Sequence, residues 1–336
     1  MPTNRWSKGK TVGVIAVVAV IGAAAVASSL RDALQDEQRP RKPQAQPPPA
    51  ELWAPATELA LSRDDQVPRS SPPTVDYVID LRTGVMTPLP HAITRSVAKT
   101  KRGLPRYAAS PDGASLAYVG IGSNGSREIF VAELDGGATH QMTLLRSDVG
   151  SPAWSPDGRE IAYAGDSGDG VRSFFVLDVT TGESTRVAGT GRLDRWAQPQ
   201  FTPDGTALLY GTRSALRTVP VGGGKSTVLL GPDQGLEVGN GAISPDGSLV
   251  TMMGNEVGGP GAIRFVTNID GTAKRSMGLG SSNPAGTWSP AGHRIACSNF
   301  SGKVIFVVDV DTGDASLVAK GSAAIWLDGH TLLVEA

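Results

Sequence analysis

The sequence is poor in the residues that most enzyme chemistry requires. Cys297 is its single cysteine, and only four histidines are scattered along 336 residues. An internal disulfide is therefore excluded, and no zinc-ligand spacing is present. Cys297 also lies far from the N-terminus, which excludes a lipid-modified cysteine following a signal segment. Charge of one sign is missing too. With 31 basic and 32 acidic side chains the formal net charge is −1, so no overall field steers the chain to nucleic acid, and no such partner is expected. Aromatic residues make up only 5%. A serine hydrolase elbow of the form G-x-S-x-G is absent. Catalytic, metal and cofactor sites are accordingly expected to be none.

Glycine, at 42, and proline, at 24, are what the chain has in quantity. A turn-rich β protein fits that balance better than a helical one. The length suits two average domains or one large all-β unit.

Residues 1–10 are basic, with Arg5, Lys8 and Lys10, and residues 11–30 ("TVGVIAVVAVIGAAAVASSL") carry no charge. Twenty such residues are just long enough to span a bilayer as a helix. The segment also has the form of a signal peptide, with "AVA" at Ala25–Ala27 as a cleavage site. Both an uncleaved anchor and a signal cleaved near Ala27 fit, and both export the bulk of the chain. Arg31, Arg39, Arg41 and Lys42 follow the segment, so the positive-inside count does not fix orientation; an anchored protein facing the cytoplasm stays open. Residues 31–74 are rich in proline and charge and read as a semi-rigid linker. In extended polyproline geometry it reaches on the order of 100 Å. Leu52, Trp53, Leu59 and Leu61 are either a short docking helix or apolar points in the tether.

Beyond residue 75 one pattern returns again and again. "AASPDGASLAYVG", "AWSPDGREIAYAG", "QFTPDGTALLYGT", "AISPDGSLVTMMG" and "TWSPAGHRIACSN" share a turn and a following strand. The turn glycines Gly113, Gly158, Gly205, Gly247, Gly292 and Gly329 are separated by 45, 47, 42, 45 and 37 residues. That is the period of a four-stranded propeller blade. Four residues before each glycine stand Ala109, Trp154, Phe201, Ile243, Trp288 and Ile325. Five after it come Tyr118, Tyr163, Tyr210, Met252, Cys297 and Val334. Small residues between the large ones, such as Ala117, Ala162 and Ala296, imply a sheet covered on both faces. Within the second copy, "PAW", "EIAYAG", "SFFVLDV" and "STRVAG" read as four strands.

The ends of the array complement one another. "TVDYVIDLRTGVMTPLP" (Thr74–Pro90) looks like the last two strands of a blade, and "AAIWLDGHTLLVEA" at the C-terminus looks like the first two. Joined, they make one composite blade and hide both free edges. Five complete copies and the composite predict an all-β, six-bladed β-propeller over residues 75–336.

The "[WF]SPDG…IAY" copies, above all "PAWSPDGREIAYAG" and "TWSPAGHRIACSN", resemble the WD40-like repeats of TolB-type propellers, over nearly all of 75–336. The resemblance implies a six-bladed exported protein of the cell envelope that binds a partner protein or peptide at the channel mouth. It departs from that family in its N-terminus, where an anchor or signal and a linker replace a folded domain. Similar repeats occur in propellers attached to prolyl-oligopeptidase-type hydrolases, whose hydrolase domain this chain does not show.

The remaining chemical motifs read as turns. "VGGGKST" (Val221–Thr227) is similar to a phosphate-binding loop, but Val219 stands where a glycine is required and the segment aligns with hairpin turns. "DVDTGD" (Asp309–Asp314) lacks calcium-loop spacing. His293 and His330 follow turn glycines, and Cys297 fills a tyrosine column. Function is therefore expected in the loops that do not repeat. "GTGRLDRWAQPQ" supplies Arg192, Asp194, Arg195 and Trp196, residue types favoured in protein interfaces. Glu237 and Asn240 hold the matching place one blade on. The expected function is that of a non-enzymatic, exported protein-binding module contacting its partner through this variable face. It is anchored in the membrane through residues 11–30 if they are uncleaved. A propeller enzyme or small-ligand binder using the channel, and a structural or sensory ectodomain, are the alternatives.

Overall fold

The computed structural model describes residues 75–97, 107–136, 138–145, 149–150, 152–166, 168–190, 193–194, 197–256, 263–277, 286–298 and 304–336. The apolar segment 11–30, the linker 31–74 and the loop residues Arg192, Arg195 and Trp196 lie outside them. Among the described residues no helix is long and apolar enough to cross a membrane.

The described strands form six four-stranded antiparallel sheets, one per repeat. Blade 1 runs from 107 to 141, blade 2 from 153 to 186, blade 3 from 200 to 230, blade 4 from 236 to 276 and blade 5 from 287 to 320. Blade 2 shows the plan: Ala153–Trp154, Glu160–Asp166, Arg172–Asp178 and Ser184–Arg186 pair in chain order. Both recurring turns therefore lie on one side, the turn face. The loops joining strands two to three, and blade to blade, lie on the other, the variable face.

The sixth blade is the composite. Ala323–Trp326 and Thr331–Glu335 supply its first two strands, and Tyr77–Asp80 and Met86–Pro88 the last two. Tyr77 pairs with Val334 and Ile79 with Leu332. Asp76, only 6% exposed, ties this closure together. Its carboxylate accepts the Tyr107 hydroxyl of blade 1 at 2.6 Å and the amide of Ala336 at 3.0 Å. On the other flank the Tyr77 hydroxyl donates to the Lys320 carbonyl of blade 5 at 2.7 Å.

Why the repeat columns look as they do is clear from the core, which is divided into six apolar layers, one between each pair of blades. Tyr118 faces the composite blade, Tyr163 faces blade 1, Tyr210 blade 2, Met252 blade 3, Cys297 blade 4 and Val334 blade 5. The intervening small residues face the other way: Ala117 meets blade 2, Ala162 blade 3 and Ala296 the composite blade. A bulky face thus meets a small one at these joints, which lets the sheets approach closely. Tyrosine tips that would be buried unpaired find hydroxyls, Tyr163 at Ser184 (3.1 Å) and Tyr210 at Ser226 (2.6 Å).

Two features differ from the sequence expectation. A short helix α1, His91–Ser96, joins the composite blade to blade 1 and buries Ile93 in their shared layer. In the last copy the inner-column residue is Trp326, which pairs with Leu332, whereas Ile325 pairs with Leu333. Counting back from Gly329 lands on the wrong residue because this turn is one residue shorter than the others.

Because Asp76 links the first and last described residues of the ring to blade 1, Asp76→Ala should lower the unfolding free energy by roughly 2–4 kcal/mol. Urea denaturation of the parent and variant measures this; an unchanged midpoint would refute a closing role for the carboxylate.

Candidate functional site

The six first strands surround a central cavity of about 610 Å³. Its walls are small or amide-bearing on the inner strands: Ala108, Ala153, Gln200, Asn240, Ala242 and Thr287. No Asp, Glu, Lys, Arg or His is among its described lining residues.

Tryptophans fasten these strands to one another. The indole N–H of Trp154 donates to the Ala108 carbonyl at 3.0 Å, Trp288 to Ala242 at 2.9 Å and Trp326 to Thr287 at 3.0 Å. Each bond reaches the inner strand of the preceding blade at an equivalent position. The indole satisfies its one donor there and leaves its ring on the cavity wall. Trp326 is held from outside as well, by the Arg294 guanidinium 5.1 Å from its ring centroid. Arg294 also donates to the Gly329 carbonyl.

At the turn face the cavity opens through the repeated turns. In blade 2 the Gly158 amide donates to the Ser155 carbonyl at 3.0 Å, so Pro156 and Asp157 form the middle of a β-turn. Positive φ, between +71° and +77° in the five full copies, falls on the glycine alone. Each proline lies over the turn of the next blade. A Cβ added at Gly158, Gly205, Gly247 or Gly292 would stand 3.6–3.9 Å from Pro111, Pro156, Pro203 or Pro245, respectively. Pro290 and, in the shorter composite turn, Leu327 complete an apolar ring around the mouth.

A second ring, of carboxylates, belongs to the same turns. The side-chain hydroxyls of Ser110, Ser155, Thr202 and Ser244 donate to Asp112, Asp157, Asp204 and Asp246 at 2.5–2.7 Å. Each of those hydroxyls also accepts the amide opening the second strand. The hydroxyl bonds hold the Asp112, Asp157 and Asp204 carboxyls below the ordinary carboxylate range. At Asp246 burial pushes upward, but the Ser244 and Ser248 hydroxyls outweigh it and the net shift is down. Asp328, in the composite turn, is likewise lowered: burial opposes, while the His330 amide and Thr331 hydroxyl prevail. The mouth is thus apolar at its centre and anionic at its rim, relieved near Asp157 by the exposed Arg159 at 3.9 Å.

Of the sequence-derived contact residues, Asp194, Glu237 and Asn240 are described, and Asp194 and Asn240 line different cavities. Asp194 lines a separate cavity between blades 2 and 3. Asn240 sits at a register break in the first strand of blade 4 and lines the central cavity. Glu237 is exposed in that strand, three residues earlier. The turn readings agree with the geometry. Val221–Ser226 connects two strands of blade 3, and Asp309 spends one carboxylate oxygen on the amides of Asp311 and Thr312. His293 is an exposed turn residue 3.3 Å from Asp311, and Cys297 is fully buried. Missed from sequence was the proline ring. Its signal, a proline at one position in five copies, is in the sequence only that of a turn former.

No family model and no curated sequence matches the chain. Solved structures do. TolB from Acinetobacter baumannii aligns with a TM-score of 0.56 at 18% identity, over 78% of this chain and 63% of that one. A chain of the nidogen/laminin complex aligns with a TM-score of 0.50 at 13% identity, over 72% of this chain and 90% of that one. Oligogalacturonate lyase in complex with manganese aligns with a TM-score of 0.46 at 13% identity, over 79% and 97%. Likeness at such identities speaks of the fold alone. The chain has the TolB-like β-propeller fold.

Blade 5 carries an internal control on the turn chemistry, since Ala291 stands where the five other turns have aspartate. The turn carboxylates have folded pKa values below their unfolded ones. Their stabilisation is therefore present above about pH 4 and is lost as the pH falls through the lowered values. Ala291→Asp should raise stability by about 0.5–1 kcal/mol at pH 7 and by clearly less at about pH 2. Thermal melts at the two pH values read this directly; a gain that persists undiminished in acid contradicts the turn account.

Proposed function

We propose that this protein is a non-enzymatic, exported propeller that binds a segment of another envelope protein at the turn-face mouth of its central cavity. The observation that carries this reading is the pairing of an apolar ring, five prolines and Leu327, with an outer rim of ionised aspartates. Such a surface suits a partner with an apolar tip flanked by lysine or arginine. The tip loses water against proline and tryptophan faces, and the flanking charges meet the rim. The amides of Gln200 and Asn240 lie deeper and are suited to a peptide backbone. Rigid closure lowers the cost of ordering the site on binding. Export is supported by the uncharged residues 11–30 and the linker that follows. The segment either anchors the propeller outside the membrane or is removed on secretion.

The test uses the full-length tagged chain in its native envelope. A photocrosslinking residue replaces Pro156 or Pro245 in the ring, and for comparison Thr185 on an outer strand. The reading predicts one protein captured from both ring positions and not from Thr185. The captured mass should be that of the intact partner, and yield should fall at least about tenfold when salt rises from about 0.05 to 0.5 M, as screening of a charged rim requires. Capture only from Thr185, a cleaved or modified partner, or salt-independent capture would each overturn it.

A further inference from the structure

A second cavity, of about 420 Å³, lies between blades 2 and 3 and differs in character from the central one. Its wall includes Asp194, Arg217 and Lys225 together with the hydroxyl-bearing Tyr210 and Ser226. Lys225 and Ser226 come from the glycine-rich "VGGGKST" segment. That segment is pinned in place by an unusually close approach of two backbones. The Gly224 amide donates to the Ala188 carbonyl at 3.2 Å. Gly189, at φ +93°, lies so near the Gly224 carbonyl that no Cβ fits there. The glycines therefore serve to press a turn of blade 3 against the segment leaving blade 2, which is what creates the cavity.

The charges on its wall are only partly used. Arg217 spends Nε on the Ser226 hydroxyl at 3.1 Å and one terminal nitrogen on the Ser226 carbonyl at 3.2 Å. These bonds fix the plane of the guanidinium and leave its other terminal nitrogen without a described acceptor. Lys225 Nζ and the Asp194 carboxylate make no hydrogen bond or ion pair with any described residue. Tyr210 and Ser226 are bonded to each other at 2.6 Å, so one hydroxyl proton and further lone pairs remain. Two cations and one anion thus line one small hollow without neutralising one another.

We propose that this cavity binds a small carboxylate that also carries a hydrogen-bond donor, a hydroxyl or an ammonium group. The carboxylate takes the Arg217 and Lys225 donors, an arrangement that gives charge-assisted bonds. The second group donates to Asp194, whose charge would repel a simple dianion. The volume is that of a ligand pocket for a small molecule, and the site is independent of the partner-binding mouth.

Isothermal titration of the full-length chain in detergent tests this with four probes: L-lactate, L-alanine, propionate and inorganic phosphate. Lactate or alanine should bind saturably, and propionate, which lacks the donor, at least about fivefold more weakly. Lys225→Gln, a change at an exposed side chain, should weaken binding about tenfold. Asp194→Asn should bring the preferred probe to the level of propionate. Arg217→Lys tests the planar donor and is scored only with an unchanged melting temperature. The proposal fails if no probe saturates below about 10 mM, if phosphate binds best, or if Lys225→Gln and Asp194→Asn bind as the parent does.

Discussion

Everything in this fold depends on one pairing, that of Tyr77–Asp80 in the first described strand with Thr331–Val334 in the last. Each blade is covered on both faces by its neighbours, so an open ring would expose two apolar layers at once. The pairing turns a row of blades into a closed set. Asp76 then links residues 260 positions apart in sequence. Such contacts are slow to form because the chain entropy of a long closure precedes any reward. The central cavity, its tryptophan stitches and the proline ring exist only once this step is complete.

Closure also explains how the ring tolerates drift in its own repeat. The column of tyrosines changes to Met252, Cys297 and Val334 around the second half, yet every member remains buried against the preceding blade. What must be kept is a fill of the joint, since the neighbouring blade supplies the rest of the packing. Cys297 is a case in point. Burial pushes its thiol up, against the opposing influence of the Arg264 guanidinium, so it is held as the neutral thiol and is unsuited to nucleophilic chemistry. Arg264 in turn is lowered by burial.

The fold was legible in the sequence because it is periodic. Spacing, turn and alternating columns gave independent statements of the same blade, and the complementary ends announced the composite. What escaped was whatever broke the period. The composite turn is one residue short, so Trp326 takes the inner column that the spacing assigns to Ile325. Helix α1 occurs once, between blades, and has no second copy to reveal it. The candidate site was less legible for a different reason. Sequence reasoning assigns recurring residues to architecture and variable ones to function, but Pro111, Pro156, Pro203, Pro245 and Pro290 do both. A proline that shapes a turn also presents an apolar ring to the channel, and only the closed geometry gathers five of them. Asp194 and Asn240, matched by position in neighbouring blades, separate because one precedes its blade while the other lies within a strand.

The two cavities embody opposite physics on one rigid frame. The central one offers uncharged walls and gains from excluding water over a broad surface. The lateral one offers fixed charges in a small volume and gains from a few directed bonds. They meet at Gly211, which lines both. A Cβ there would crowd the Gly239 carbonyl and the Asn240 side chain at 2.5 Å. The glycine therefore lets blades 3 and 4 draw together behind the channel wall. The separation between the cavities at this point consists of closely packed backbone with the Asn240 side chain against it. The proposed partner segment and the proposed small carboxylate would then lie close together on a frame that does not hinge, since closure of the ring fixes each blade against its neighbours.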